Sequence, residues 1–337
     1  MQLQQFNEPR SRKTGVWVTI GVIAVVAGGV IFWRAGRRAD SSGSAAALSP
    51  AAAVAAEPPA AANAPAVQAA PAPAPVALAA GASATGLPVS ATTATAAVAQ
   101  VLREADELGA GERYVEARDR CWGALESCSD PDQRRECETR IGRYNIELMF
   151  TPRPAPEKVD CIIKRGDLLA KIAQQNGTTV DLIQKGNMIA APERIKVGDR
   201  LKVLAGKFAL VVNKTHNDLV VTLNGRFFKR YGVGTGKFGK TPVGTFVVND
   251  RIREPVWWRP DGRAIPYGDK ENILGTRWMS LKATGQTPDV KGYGLHGTWD
   301  PSSIGKAESA GCIRLRNEDV EELFTLIPLG TPVTIEE

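Results

Sequence analysis

Cys312 stands far from the chain's other four cysteines, and His296, one of only two histidines, lies shortly before it. The thiolate is the nucleophilic form of cysteine, and a thiol of ordinary pKa, about 8.5, holds little of it at neutral pH. A nearby imidazolium or converging backbone N–H groups would supply it, so His296 is the candidate base and source of charge for Cys312. Gly311 directly before the thiol permits a sharp turn and close substrate approach. The N–H groups of Gly311 and Cys312 are then candidates for an oxyanion hole, often the largest contribution in acyl transfer. His216 sits in the polar string Asn213-Lys-Thr-His-Asn-Asp218 and reads as a surface turn residue rather than a ligand.

Such a pair needs rigid elements to hold it. Ile313-Arg314-Leu315 alternates apolar, charged, apolar, which predicts a half-buried strand with Arg314 on the face opposite its neighbours, free to meet a carboxylate. Asn317-Glu-Asp followed by Val320, Leu323, Phe324 and Ile327 predicts a capped amphipathic helix. Upstream, 208–213, 219–223 and 226–233 are β-branched or aromatic runs, the last two joined by Asn224-Gly225, a hairpin turn signal. Further strands are predicted at 245–248 and 332–335, so the C-terminal domain is mainly β. Trp257, Trp258, Trp278 and Trp299 are expected to pack it or line its groove.

His296-Gly297-Thr298 with Ser309-x-Gly311-Cys312-Ile313-Arg314-Leu315 resembles the signature of L,D-transpeptidase (YkuD-type) catalytic domains. The resemblance continues through Gly234-Thr-Gly236, Thr241-Pro-Val-Gly-Thr-Phe246 and Leu274-Gly-Thr-Arg-Trp278, and covers 207–337. It implies a β-sandwich or barrel with a short helix, and peptidoglycan stem peptides as substrate. Cys312 would attack the amide between meso-diaminopimelate and terminal D-Ala, and an amine would resolve the thioester into a 3-3 cross-link. The resemblance also implies that the Gly297 carbonyl orients the imidazole, that Ser309 and Arg314 order the loop or bind substrate carboxylate, and that no metal or cofactor is needed. Tyr293 and Trp299, in the same motif, are candidate substrate contacts. Many relatives carry a second histidine or an arginine before Gly-Cys, where this chain has Ala310, so His296 is the sole candidate base. The alternatives are an L,D-carboxypeptidase using the same residues and a non-catalytic membrane-to-wall anchor.

Gly234-Thr-Gly-Lys-Phe-Gly239-Lys240-Thr241 matches the phosphate-binding loop pattern. That loop must open a helix, whereas Pro242-Val-Gly and a β-rich string follow here. Nucleotide is therefore not an expected partner, and these glycines are expected to form loops around the cleft.

Residues 158–204 read as strand, helix, helix, strand and resemble a LysM module. The resemblance implies glycan binding through loops holding Gly166, Asp167, Leu168, Asn187 and Met188, with Leu168 standing where relatives usually have Ser or Thr. Residues 98–150 show helical periodicity, with Val101, Ala105 and Leu108, then Tyr114, Ala117, Cys121 and Leu125, then Ile141, Tyr144 and Leu148 as apolar stripes. A helical hairpin turning near Asp130 would set Cys121 beside Cys137, leaving Cys128 for Cys161, two disulfides that an oxidising compartment permits.

Residues 41–97 are almost only Ala, Pro, Ser, Thr and Val, a disordered linker. Thr14 to Trp33 is free of charge, flanked by Trp17 and Trp33, and long enough to cross a bilayer. The expected arrangement is a cytoplasmic tail (1–13), a single transmembrane helix (14–33), and extracytoplasmic domains in the periplasm or wall; the alternative is a cleaved signal peptide, for which the run is long and lacks a clear small-x-small site directly after it. The net charge of +6 is scattered without aromatic interleaving, which excludes nucleic acid as a partner and suits an anionic wall.

Overall fold

The computed structural model describes residues 91–337. The expected tail, membrane helix and most of the linker lie outside the described residues, among which no helix is long and apolar enough to cross a membrane. Helix α1 (Ala91–Ala110) begins inside the stretch read as linker. Past Pro88 nothing breaks a helix, and alanine is the strongest helix former, so 91–97 join the helical segment. Helices α2 (Tyr114–Ser127) and α3 (Pro131–Met149) follow. Asp130 caps α3 by accepting the Gln133 N–H at 2.9 Å, with Pro131 in the first turn, where its missing N–H costs nothing.

The three helices pack around Leu102, Ala105, Ala117, Ile141 and Tyr144, and Cys121, Cys128 and Cys137 share that core. All five cysteines are free thiols, so neither expected disulfide is present. Cys128 lies in the helical core, whereas Cys161 packs against the next module, so that pairing has no geometry to form in. Cys121 and Cys137 serve instead as small buried apolar groups.

That next module is β1 (Lys158–Ile162), α4 (Leu169–Asn176), α5 (Val180–Gly186) and β2 (Arg200–Leu204), with β1 and β2 antiparallel. This is the strand, helix, helix, strand order read from the sequence. Its own core is Ile163, Leu169, Ile172, Ile183, Leu201 and Val203, yet Leu182 of α5 is buried in the C-terminal domain's core. Beside Leu182, Asp181 pairs with both Arg251 and Arg253.

The C-terminal domain adds β3 (Phe208–Asn213), β4 (Asp218–Leu223), β5 (Arg226–Gly232), β6 (Thr235–Gly236), β7 (Gly244–Arg253), β8 (Trp257–Trp258), β9 (Ala264–Ile265), β10 (Arg277–Ala283), β11 (Gly294–His296), β12 (Ala307–Ser309), β13 (Ile313–Arg314), α6 (Asn317–Leu326) and β14 (Pro332–Glu336). Eight strands form one sheet in the order β13-β11-β10-β7-β14-β3-β4-β5. Only β11–β13 and β14–β3 are parallel pairs within it. Asn224 and Gly225 both have positive φ (52° and 78°), as a two-residue hairpin turn demands. Alternate residues such as Leu210, Val212, Phe246, Met279 and Leu295 share one core with Val320, Leu323 and Leu326 of α6.

The edge strand β5 would otherwise present unpaired backbone groups. The helical segment covers it: Trp122 Nε1 donates to the Phe227 carbonyl at 3.2 Å and Asn145 Nδ2 to that of Phe228 at 2.8 Å.

Candidate active site

The site is built where β11 and β13 run parallel, with Leu295 opposite Ile313 and His296 opposite Arg314. Strand alternation sends Leu295, Ile313 and Leu315 into the core, all about fully buried. His296, Arg314 and Cys312, one step before β13, are left on the other face. There they line one cleft of about 550 Å³, together with Tyr293, Trp257, Trp258 and Trp278. A larger cleft of about 720 Å³ between α3 and β4–β5 is lined by charges that pair with one another, Arg230 with Glu138 and Asp218 among them, and holds no nucleophile. His216 is on its rim, an exposed turn residue as read from the sequence.

His296 is buried at 2 % exposure. Its Nδ1 lies 2.6 Å from the Gly297 carbonyl. A carbonyl can only accept, so Nδ1 carries the proton and Nε2 keeps the lone pair in the neutral ring. Trp278, the register partner of His296 on β10, stacks on it at 5.7 Å with the planes 27° apart. The same indole lies over Gly294, where a Cβ would meet it at 2.8 Å. Burial is the largest influence on the imidazole and pulls its pKa from 6.5 to about 4; the Gly297 and Leu274 carbonyls oppose this and the Arg314 charge adds to it. The ring is therefore neutral at physiological pH. Burial thus works against the resting positive charge expected of His296.

The Cys312 thiol points to the Gly292 carbonyl at 3.5 Å. Burial raises its pKa above the ordinary thiol value, while the Gly294 N–H and the Arg314 guanidinium pull the other way. The resting pair is thus thiol and neutral imidazole, and a proton must move when the sulfur attacks. Arg314 has no ion-pair partner among the described residues, so its charge is available to the thiolate or to a ligand carboxylate.

The expected oxyanion pair is corrected in half. Ser309 Oγ accepts the Gly311 N–H at 3.0 Å and donates to the Cys312 carbonyl at 2.6 Å. Ser309, buried at 2 %, orders the loop, and Gly311 N–H is spent on it. The Cys312 N–H carries no hydrogen bond among the described residues. Gly311 has φ +140°, and a Cβ there would stand 2.6 Å from Tyr293 Cε1 and 3.2 Å from the Lys240 carbonyl, which is why only glycine fits. Tyr293 therefore roofs the Gly311 backbone as well as lining the cleft. Trp299 does not reach the cleft wall; it is half-exposed and rests on Tyr267 at 6.2 Å.

Asn317 does not cap α6. Its Oδ1 accepts the Thr276 N–H at 3.1 Å, and the cap position is Arg316. The amide sits so close to Gly297 that a Cβ there would meet Oδ1 at 2.1 Å, so Asn317 braces the peptide that holds His296. Sequence reasoning expects Trp278 only to pack the domain or line its groove and Asn317 only to cap a helix, and gives Gly294 no role; nothing in their types marks them as neighbours of a histidine.

In the N-terminal module, Gly166 (φ +87°), Leu168 and Met188 (φ +54°) are exposed at the loop tips. Leu168 stands at the N-cap of α4 without a side-chain hydrogen bond. Asp167 and Asn187 are committed to the fold: Asp167 accepts the Lys164 N–H, while Asn187 donates to the Ile183 and Lys202 carbonyls and accepts the Lys202 N–H.

Comparison with known proteins bears on both modules. Residues 207–335 match the L,D-transpeptidase catalytic domain family (YkuD), and 161–204 match the LysM domain family. The putative L,D-transpeptidase YqjB of Bacillus subtilis is 40% identical over 133 residues, 39% of this chain and 73% of that protein. The putative L,D-transpeptidase YkuD of the same organism is 32% identical over 179 residues, 51% of this chain and 96% of that protein. Among solved structures, an L,D-transpeptidase from Mycobacterium smegmatis aligns with a TM-score of 0.32 and 21% identity, over 42% of this chain and 65% of that one.

Proposed function

The chain belongs to the L,D-transpeptidase family, and from that premise we propose that it cross-links peptidoglycan stem peptides through a thioester on Cys312. The observation that carries the reading is that Cys312 and His296 share one cleft, with the imidazole's Nδ1–H held by the Gly297 carbonyl and Nε2 left as a base. Nε2 takes the thiol proton as Sγ adds to the carbonyl of the amide between meso-diaminopimelate and D-Ala. The tetrahedral oxyanion receives the Cys312 N–H, which has no partner among the described residues. Its collapse breaks the C–N bond, and D-Ala leaves as an amine carrying the proton from the imidazolium. An acceptor amine then gives its proton to Nε2 as it attacks the thioester; the C–S bond breaks, and the imidazolium returns that proton to the sulfur, leaving the thiol and a 3-3 cross-link. Arg314, without an ion pair among the described residues, serves substrate carboxylate and the developing thiolate.

The LysM module is read as a glycan-strand contact through Gly166, Leu168 and Met188. The apolar run 14–33 is read as a single-pass anchor with the enzyme outside the cytoplasm, since peptidoglycan is assembled there.

The test is mass spectrometry of the purified protein with a disaccharide tetrapeptide, for wild type and Cys312→Ala. Thioester adduct and 3-3 dimers in wild type alone are expected. Tripeptide without dimers would make it an L,D-carboxypeptidase, and untouched substrate retained on glycan by both would make it an anchoring protein.

A further inference from the structure

The string that imitates a phosphate-binding loop ends in Thr241, and the fold gives that residue a different task. Thr241 is buried at 1 % exposure and is not part of the cleft lining. Its Oγ1 accepts the Gly236 N–H at 2.7 Å and lies 2.8 Å from the Gly311 carbonyl. A hydroxyl has one hydrogen. Since the Gly236 N–H can only donate, that hydrogen must go to the Gly311 oxygen, and the direction of both bonds is fixed. The approach is possible because residue 236 is glycine: a Cβ there would stand 2.7 Å from Thr241 N and 2.9 Å from Gly311 Cα.

The Gly311 carbonyl and the Cys312 N–H belong to one planar trans peptide, so they point in opposite directions. Ser309, Ala310 and Cys312 form the cleft wall, and Thr241 lies behind it. Pulling the carbonyl back toward Thr241 aims the Cys312 N–H forward into the cleft. Ser309 pins the peptides on either side, through Gly311 N–H and the Cys312 carbonyl, but neither bond sets the orientation of the unit between them. We infer that Thr241 is a positioning residue for acyl transfer: its hydroxyl orients the Gly311–Cys312 peptide so that the Cys312 N–H meets the oxyanion. The inference rests on the transpeptidase reading.

The experiment compares two reactions of the same sulfur in Thr241→Val and Thr241→Ser. Acylation by a disaccharide tetrapeptide passes through an oxyanion; alkylation of Cys312 by iodoacetamide, followed on its tryptic peptide, does not. Thr241→Val is expected to slow acyl-enzyme formation by about 10- to 100-fold, chiefly in kcat, in line with the loss of an oxyanion donor. Its alkylation rate and pH profile are expected to stay within about twofold of wild type, and Thr241→Ser to restore acylation to within about threefold. Should the valine variant fail to fold, Thr241→Ala carries the same comparison. Wild-type acylation in Thr241→Val, or parallel loss of acylation and alkylation that serine does not rescue, would overturn the assignment. If wild type itself forms no acyl-enzyme, the transpeptidase reading falls and takes this inference with it.

Discussion

Cys121 and Cys312 carry the same side chain in opposite surroundings. Cys121 sits in the helical core with Cys137 as neighbour, and burial pushes the two thiols up to about 12 and about 11. Cys312 is also raised by burial, but the Gly294 N–H and Arg314 work against that rise, and a neutral base shares its cleft. In the helical core, Arg140 and Arg143 oppose the rise at Cys121, and Arg140 with a backbone N–H opposes it at Cys137, yet burial still dominates. Burial alone makes a thiol inert; burial with a donor, a cation and a proton acceptor makes one that reacts on demand. The difference lies in the backbone groups and the strand register, not in the residue.

The sharpest break between the two regions is activity. Cys312→Ala is expected to abolish acyl-enzyme formation, by at least about 10³-fold, and His296→Gln to cost about 10²–10⁴-fold, while Cys121→Ala leaves turnover of the folded protein unchanged. Mass-spectrometric detection of the thioester reads all three. A second contrast is chemical: at neutral pH iodoacetamide should label Cys312 at least about 100-fold faster than Cys121 or Cys137, whose labelling awaits unfolding. The Cys312 rate should keep climbing as pH rises through 9, since its thiol is raised above that value and no resting imidazolium holds a thiolate. A plateau already at pH 6 would show an ion pair instead.

Stability gives a third contrast. His296 stays neutral when folded down to about pH 4, whereas the unfolded chain protonates near 6.5, so between those values the unfolded state binds more protons. Stability present above pH 6.5 is expected to fall by about 3 kcal/mol as pH drops toward 4, and His296→Gln should flatten that slope in denaturant titrations. The smallest effect is expected in the helical core: Cys121→Ser should lower stability by about 1–3 kcal/mol, through a buried hydroxyl without a ready partner.

Much of this was legible beforehand. The alternation around Ile313-Arg314-Leu315, the Asn224-Gly225 turn and the order of elements in 158–204 all appear as read, because local pattern alone decides them. What stayed hidden depends on contacts across the chain. Ser309 and the Gly311 N–H are two residues apart, but whether they bond is decided by the turn that Tyr293 and Thr241 enforce. The charge of His296 is decided by how completely β10 and the cleft wall bury it. Trp299 neighbours His296 in sequence yet turns away, since the strand ends between them. The cysteine pairing failed for a related reason: spacing gives depth along a hairpin, but Cys161 belongs to another core.

The insertion of Leu182 into the C-terminal core has a consequence for cooperativity. That core also contains Leu148 and Met149 from α3, so three sequence regions contribute to one apolar interior. Modules strung on a thread melt separately; modules that share an interior lend one another their stability and melt together. Cutting the chain before Lys207 would then strip Leu148, Met149 and Leu182 from that interior and is expected to lower the stability of what remains. The LysM module thereby contributes Leu182 to the interior of the C-terminal domain, and its loss is expected to be felt in stability.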